Sequence, residues 1–201
     1  MSDVLVIGLT GNIATGKSTV TAMLARLGAY TIDADQVVHR LLDTDPNVGS
    51  EVVARFGPDV RTPSGAIDRV RLGAMVFPSP AGMRDLEMIL HPRVRAQVDE
   101  MIARSDASVV VVEAIKLLES ELHARCQAIW VTTCPEEDQI RRLVRDRKMT
   151  REQALARIRS QPSQAAKVAR ADVVIDTSGT LDQTKEQVEQ AWRKMAVGRR
   201  T

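Results

Sequence analysis

The sequence predicts an α/β chain: a doubly wound, five-stranded parallel sheet with helices between its strands. Three observations predict it. Five short apolar runs, at 4–7, 30–32, 109–112, 128–131 and 171–176, have the length of strands. Stretches of helical apolar spacing separate them, as in a sheet wound through crossover helices. Between the first run and the first helical stretch, residues 11–18 read Gly-x-x-x-x-Gly-Lys-Ser.

That motif sits between Val4-Leu5-Val6-Ile7, a run suited to a buried strand, and Val20, Met23, Leu24 and Leu27, which recur at helical spacing. Strand, loop and helix in this order make the match a phosphate-binding loop and the fold a P-loop NTPase type. Gly11 and Gly16 permit the tight turn and leave no Cβ between amides and phosphates. The loop amides and the positive end of the following helix converge on an anion. Residues Gly11, Asn12, Ile13, Ala14, Thr15, Gly16, Lys17, Ser18 and Thr19 are therefore the expected ATP site. Lys17 would bridge the β- and γ-phosphates, and the Ser18 hydroxyl would hold Mg²⁺. A chance match to four fixed positions in a chain of this length has a probability of roughly one in a hundred.

Composition bounds the rest. Two hundred and one residues suit one domain with small appended parts, and 44% hydrophobic residues suffice for a core. Aromatics are only 2%, which argues against base-stacking modes of nucleic-acid binding. A net charge of +2 recruits no polyanion through a global field. Cys126 and Cys134 have no metal-ligand spacing and no disulfide framework. Without a signal peptide or a membrane-length apolar run, the chain is expected in the cytoplasm, away from membranes, as a monomer or small homo-oligomer.

After the first helix, Gly28-Ala29 is a stop signal, and the short second strand ends in Asp33-Ala34-Asp35. Carboxylates at the carboxyl end of a strand in an open α/β sheet sit where ligands bind. Asp35 suits the N-cap of a helix at 36–42, leaving Asp33 to face the loop as a catalytic residue. Helices follow at 48–56 and 67–77, around a Gly-, Pro- and Ser-rich loop at 57–65. The next is expected at 81–90, a break at His91-Pro92, and another helix at 93–103. This helical block reads as an insertion for the acceptor substrate. From spacing alone, His91 is a packing histidine at a helix junction.

The third strand, Val109-Val110-Val111-Val112, is apolar throughout and so central. Glu113 at its end either supports a magnesium shell through water or caps a helix. Leu117 and Leu118 are core. Pro135 opens a helix at its first position, with Ile140, Leu143 and Val144 inward. Its other side is basic: Arg141, Arg142, Arg145, Arg147 and Lys148. Thr150 and Gln153 form a capping box for a helix carrying Arg157 and Arg159. A charge run is usually a solvated face, but arginines at this point of a phosphate-loop fold suit a mobile lid over the phosphates. The last helix starts at a second capping box, Thr180 with Gln183, and Leu181, Thr184, Val188, Ala191, Trp192 and Met195 form its inward stripe. The tail 198–201 is expected to fray.

Taken together, these residues resemble the dephospho-CoA kinase family along nearly the whole chain. The matching pieces are Ile7-Gly8-Leu9-Thr10-Gly11 leading into Gly16-Lys17-Ser18-Thr19, then Ile32-Asp33-Ala34-Asp35, Phe56-Gly57, Asp68-Arg69, Val76-Phe77 and Leu90-His91-Pro92. Leu117-Leu118-Glu119, Gln139 with Arg142, Gln161 and Ala171-Asp172-Val173-Val174-Ile175-Asp176 complete them. The resemblance implies a core at about 1–44, 107–134 and 171–198, a CoA-binding insertion at about 45–106 and an arginine lid at about 135–170, within one kinase domain. It implies transfer of a phosphoryl group from ATP, with Mg²⁺, to the ribose 3′-hydroxyl of 3′-dephospho-CoA, the last step of CoA biosynthesis. Asp33 would be the general base. His91 gains a substrate-side role, and Glu113, Lys116 and Arg142 join it there. Arg142 and Arg147 would act on the phosphates, with Arg145 the alternative to Arg147.

The chain departs from the family in places. Asn12 and Ala14 replace loop glycines; Asn tolerates a left-handed conformation, and Ala14 fits if its φ is negative. Glu113-Ala114-Ile115-Lys116 replaces the usual approach to the Leu-Leu pair. Asp146-Arg147 stands where an Arg-Asp pair is usual, and Thr177 where Asn often stands in the expected adenine-side loop. The competing readings are a kinase for another small nucleoside or nucleotide, and a nucleotide-binding switch. A GTP switch would show Asp-x-x-Gly and Asn-Lys-x-Asp, which the sequence lacks.

Overall fold

The computed structural model describes residues 4–197, so the 198–201 tail lies outside the described residues. Its chain divides into two compact units. One runs to Ile32 and resumes at Ser105; the other is Asp33–Arg104.

The first unit carries the parallel sheet, in strand order β2-β3-β1-β4-β5. The strands are β1 (Leu5–Thr10), β2 (Tyr30–Asp33), β3 (Val109–Glu113), β4 (Ala128–Thr133) and β5 (Val173–Asp176). β1 pairs in parallel with β3 and β4, and β4 with β5. β1 is central because its side chains are buried on both faces from Val6 onward. Ile7 and Leu9 on one face pack with Val111, Trp130 and Ile175, covered by α1 (Lys17–Arg26) through Val20 and Leu24. α9 (Leu181–Val197) covers the same face with Val188 and Ala191. α6 (Glu136–Arg147), α7 (Arg151–Arg159) and the short α8 (Gln164–Val168) lie between β4 and β5.

Several sequence expectations are met in this unit. Both capping boxes form: Gln153 N bonds Thr150 Oγ1 and Thr150 N bonds Gln153 Oε1, and Thr180 with Gln183 does the same. Leu117 and Leu118 are buried. Other positions differ. β1 extends through Gly8-Leu9-Thr10, because β3 and β4 offer partners on both sides. Pro135 is the N-cap of α6 and its helical turns start at Glu136. Ile140 and Leu143 are buried, but Val144 is 41% exposed, since the inward stripe of α6 is narrow. Leu181 is 68% exposed and does not join the core stripe of α9.

The second unit is helical: α2 (Ala34–Thr44), α3 (Pro46–Phe56), α4 (Arg69–Val76) and α5 (Pro80–Ala103). Asp45 accepts from the Asn47 and Val48 amides, Asp68 from those of Val70 and Arg71, and Ser79 from Gly82, so each of α3 to α5 is capped by its own sequence. The N-cap of α2 is Asp33, not Asp35. Its Oδ1 accepts from Gln36 N at 3.0 Å, and Asp35 lies inside the first turn. The extended β2 brings the chain to Asp33 with the non-helical backbone a cap requires.

The expected break at His91-Pro92 does not occur. α5 runs unbroken through Pro92. Leu86, Leu90, Val94 and Val98 are buried four residues apart and form one stripe across the proline. Pro92 has no N–H for the Met88 carbonyl. The Arg93 guanidinium donates to the Ile89 carbonyl at 2.8 Å, satisfying an acceptor in that disturbed turn. Packing outweighs the local preference against a helical residue before proline.

Candidate functional site

Residues 11–16 link β1 to α1. Gly16 has φ 87°, and a Cβ there would come within 2.9 Å of the Thr177 methyl. Gly11 has φ 153°, also on the positive side. The Lys17 ammonium donates to the Gly11 carbonyl at 3.1 Å, which folds the lysine back over the loop. The Ala14, Gly16 and Ser18 N–H groups make no hydrogen bond among the described residues. They are donors held out at the start of a helix, where an anion is stabilised.

Ala14 corrects an expectation. Its φ is +60°, not negative, so this side chain stands in the left-handed region. Asn12, suited to that conformation, does not use it. The turn geometry demands one left-handed residue just before Thr15-Gly16, and the chain fills it with alanine at a cost of about 1–2 kcal/mol.

A cavity of about 610 Å³ opens at this loop. Ile13, Ala14, Gly16, Lys17, Ser18 and Thr19 line one side; Arg142, Leu143, Arg145, Asp146, Arg147, Arg157 and Gln161 line another; Thr177, Gly179, Leu181 and Thr184 close it. Five cationic side chains and one carboxylate thus line the space. Hydrogen bonding from Arg145 holds the Asp146 carboxyl below the usual carboxylate range.

The arginines are not equivalent. Arg142 is half-buried and donates to the Ala14 carbonyl at 3.0 Å, to Thr177 Oγ1 at 3.0 Å and to the Thr177 carbonyl. It ties the phosphate loop to the loop after β5. Arg145 is bidentate with Asp146, at 2.6 and 2.9 Å, so an Arg-Asp pair is present one residue before its expected place. Arg151 is bidentate with Glu137, and Arg141 pairs with Asp138. Arg147 and Arg157 line the cavity with no hydrogen bond or ion pair from their guanidinium groups among the described residues.

The helices that carry them are anchored, not loose. Ile13 of the loop is 4% exposed and packs with Ile140, Leu143, Ala154 and Ile158. Beside it, Cys134 is buried; burial pushes its thiol up, with the Arg142 charge opposing.

Other expected site residues lie elsewhere. Glu113 is at the end of β3, where its Oε2 accepts from the Thr21 hydroxyl of α1 at 2.5 Å. Lys116 is exposed in the segment after β3, and neither it nor Glu113 lines the cavity. Asp33 opens the second unit, and His91 lies half-buried in the middle of α5. Sequence reasoning assigned no role to Gln161, Thr177 or Thr132 in shaping the loop. Side-chain hydrogen bonds from distant segments carry no periodicity, so no local signal marks them.

A model of the dephospho-CoA kinase family matches residues 5–183. A dephospho-CoA kinase of Symbiobacterium thermophilum is 43% identical over 96% of this chain and 82% of its own length. One of Geobacter sulfurreducens is 38% identical over 94% of this chain and 98% of its own. Among solved structures, a Thermus thermophilus protein superposes with a TM-score of 0.84 at 31% identity, covering 96% of this chain and 97% of that one. The dephospho-CoA kinase of Campylobacter jejuni gives 0.59 at 25% identity, covering 94% and 96%. The shikimate kinase of Acinetobacter baumannii, at 17% identity and a TM-score of 0.56 over 98% of this chain and 96% of its own, shares the fold.

Proposed function

Because the chain belongs to the dephospho-CoA kinase family, we propose that the arginine-lined cavity is where it grips the triphosphate of ATP for transfer to the ribose 3′-hydroxyl of 3′-dephospho-CoA. The activity is ATP-dependent phosphorylation of dephospho-CoA. The observation that carries the site reading is the cavity wall: loop amides and Lys17 on one side, Arg142, Arg147 and Arg157 on the other. Such a lining is complementary to a polyphosphate anion.

In this reading the Ala14, Gly16 and Ser18 amides hold the β-phosphate, and Lys17 leaves the Gly11 carbonyl to bridge β and γ. Arg147 and Arg157 meet the charge that develops on the moving phosphoryl group. Arg142 acts mainly by holding the loop. The base of the nucleotide takes the end lined by Thr177, Gly179 and Leu181. Ser18, exposed in the first turn of α1, fits as the protein ligand of Mg²⁺. No group of three or more His, Cys, Asp or Glu side chains is arranged for a metal among the described residues. A Mg²⁺ ion held mostly by phosphates and water needs none. When bound, it neutralises charge on the phosphate oxygens.

Asp33 supplies the base. It closes β2, and ligands of open parallel sheets bind at carboxyl ends. Its Oδ1 holds the α2 amide, which fixes the carboxylate and leaves Oδ2 to accept the hydroxyl proton. His91, Lys116 and Glu113 are assigned to the acceptor side. No helix among the described residues is long and apolar enough to cross a membrane. We place the reaction in the cytoplasm, on a small-molecule acceptor without nucleic acid, by a monomer or small homo-oligomer.

Asp33→Asn tests the assignment. It should lower kcat on the order of a hundredfold or more while the KM for ATP stays within about threefold. A variant with near-normal kcat removes Asp33 from the mechanism.

A further inference from the structure

The front of the phosphate loop is held by side chains from the turn after α7 and the start of α8. Gln161 Oε1 accepts from Ile13 N at 2.7 Å, and Gln164 Oε1 accepts from Asn12 N at 2.9 Å. Gln164 Nε2 donates to the Thr132 carbonyl on β4 at 2.9 Å, so that side chain bridges the loop and the sheet. Asn12 answers with its own amide, Nδ2 donating to the Pro162 carbonyl at 2.9 Å. Behind these contacts, Thr15 Oγ1 meets Thr132 Oγ1 at 2.8 Å and donates to the Asn12 carbonyl at 2.7 Å.

The pattern separates two sets of amides. Asn12 and Ile13 are already occupied by protein oxygens, whereas Ala14, Gly16 and Ser18 keep their N–H groups for an anion. Ile13 packing and the Thr15 contacts hold the side chains of this loop, and the two glutamine oxygens add a direct hold on the direction of its front amides. The other end of the clasp lies just past α7: Gln161 follows Arg157 by four residues, and both line the cavity.

We propose that Gln161 and Gln164 are positioning residues that keep the phosphate loop in its ATP-receiving shape and tie that shape to the position of the α7 arginine. They act through the loop, not by touching the reacting phosphoryl group. A loop that holds the receptive shape only part of the time binds with an affinity reduced by that fraction. This rests on the cavity being the ATP site, and not on which hydroxyl accepts the phosphate.

The test is made on the full chain with Gln161→Met and Gln164→Met, which keep side-chain volume and remove the acceptor. Binding of a non-hydrolysable ATP analogue is measured by calorimetry, and steady-state kinetics are run with dephospho-CoA. Each variant should bind the analogue about tenfold more weakly. The KM for ATP should rise in parallel, while the KM for dephospho-CoA stays within about twofold. Because both residues hold one loop, the double variant should weaken binding by clearly less than the product of the single effects. If either variant fails to fold, Asn12→Ala, which removes the side-chain contact to Pro162 without adding glycine's backbone freedom, is read by the same ratio and should weaken analogue binding about threefold. Analogue affinity unchanged within twofold, whatever happens to the melting temperature, would overturn the proposal and leave the clasp a stabilising contact only. No analogue binding to the wild-type chain would instead sink the ATP-site reading itself.

Discussion

Arg142 holds Thr177 with both arms of its guanidinium: Nη1 donates to Oγ1 at 3.0 Å and Nη2 to the carbonyl. Nη1 also reaches the Ala14 carbonyl, so one side chain joins the phosphate loop to the loop after β5. Arg142→Lys keeps the charge but cannot span these acceptors. It should lose about 1–3 kcal/mol of stability and raise the KM for ATP about tenfold. Urea unfolding and ATP saturation curves check both.

Ala14 offers a stabilising change. Its φ of +60° costs L-residues energy that glycine does not pay. Ala14→Gly should add about 1 kcal/mol and raise the melting temperature by about 2–4 °C. Ala14→Val should do the reverse, since β-branched residues are poorest there. Differential scanning calorimetry of the three proteins decides it.

These two residues show what could be read in advance. The sheet, both capping boxes and the phosphate loop were legible because each is encoded locally, by apolar runs, cap residues and a fixed motif. The backbone sign at Ala14 was not, since it follows from how the whole loop closes. Arg142 was legible as one of a run of basic residues on a helix, but its engagement with Thr177, thirty-five residues on, follows from tertiary packing. The α2 cap was assigned to the wrong aspartate because both Asp33 and Asp35 suit the type; only the extended backbone of β2 chooses between them.

Pro92 sits inside α5 against local preference. Pro92→Ala restores a backbone donor for Met88 and should stabilise the chain by about 1–3 kcal/mol, offset in part by a freer unfolded state. Chemical denaturation measures the difference. A loss of stability would mean that the packing of Leu90 and Val94 depends on the disturbed turn.

Cys126 predicts an alkaline limb. Burial pushes its thiol from 9.0 up to about 12. Below the lower value the thiol is neutral in both states. Between the two, the unfolded chain loses its proton and the folded chain does not, so stability falls as pH rises from about 9 to about 12. Cys126→Ala should flatten that decline. In the native protein at pH 8 this thiol should react with a disulfide reagent far more slowly than after unfolding.

The most direct measurement is the mass of dephospho-CoA after incubation with ATP, Mg²⁺ and the protein. The account predicts a product heavier by one phosphoryl group, formed in step with ADP, and none with Lys17→Ala. ADP released while dephospho-CoA keeps its mass, or full turnover by Lys17→Ala, would contradict it.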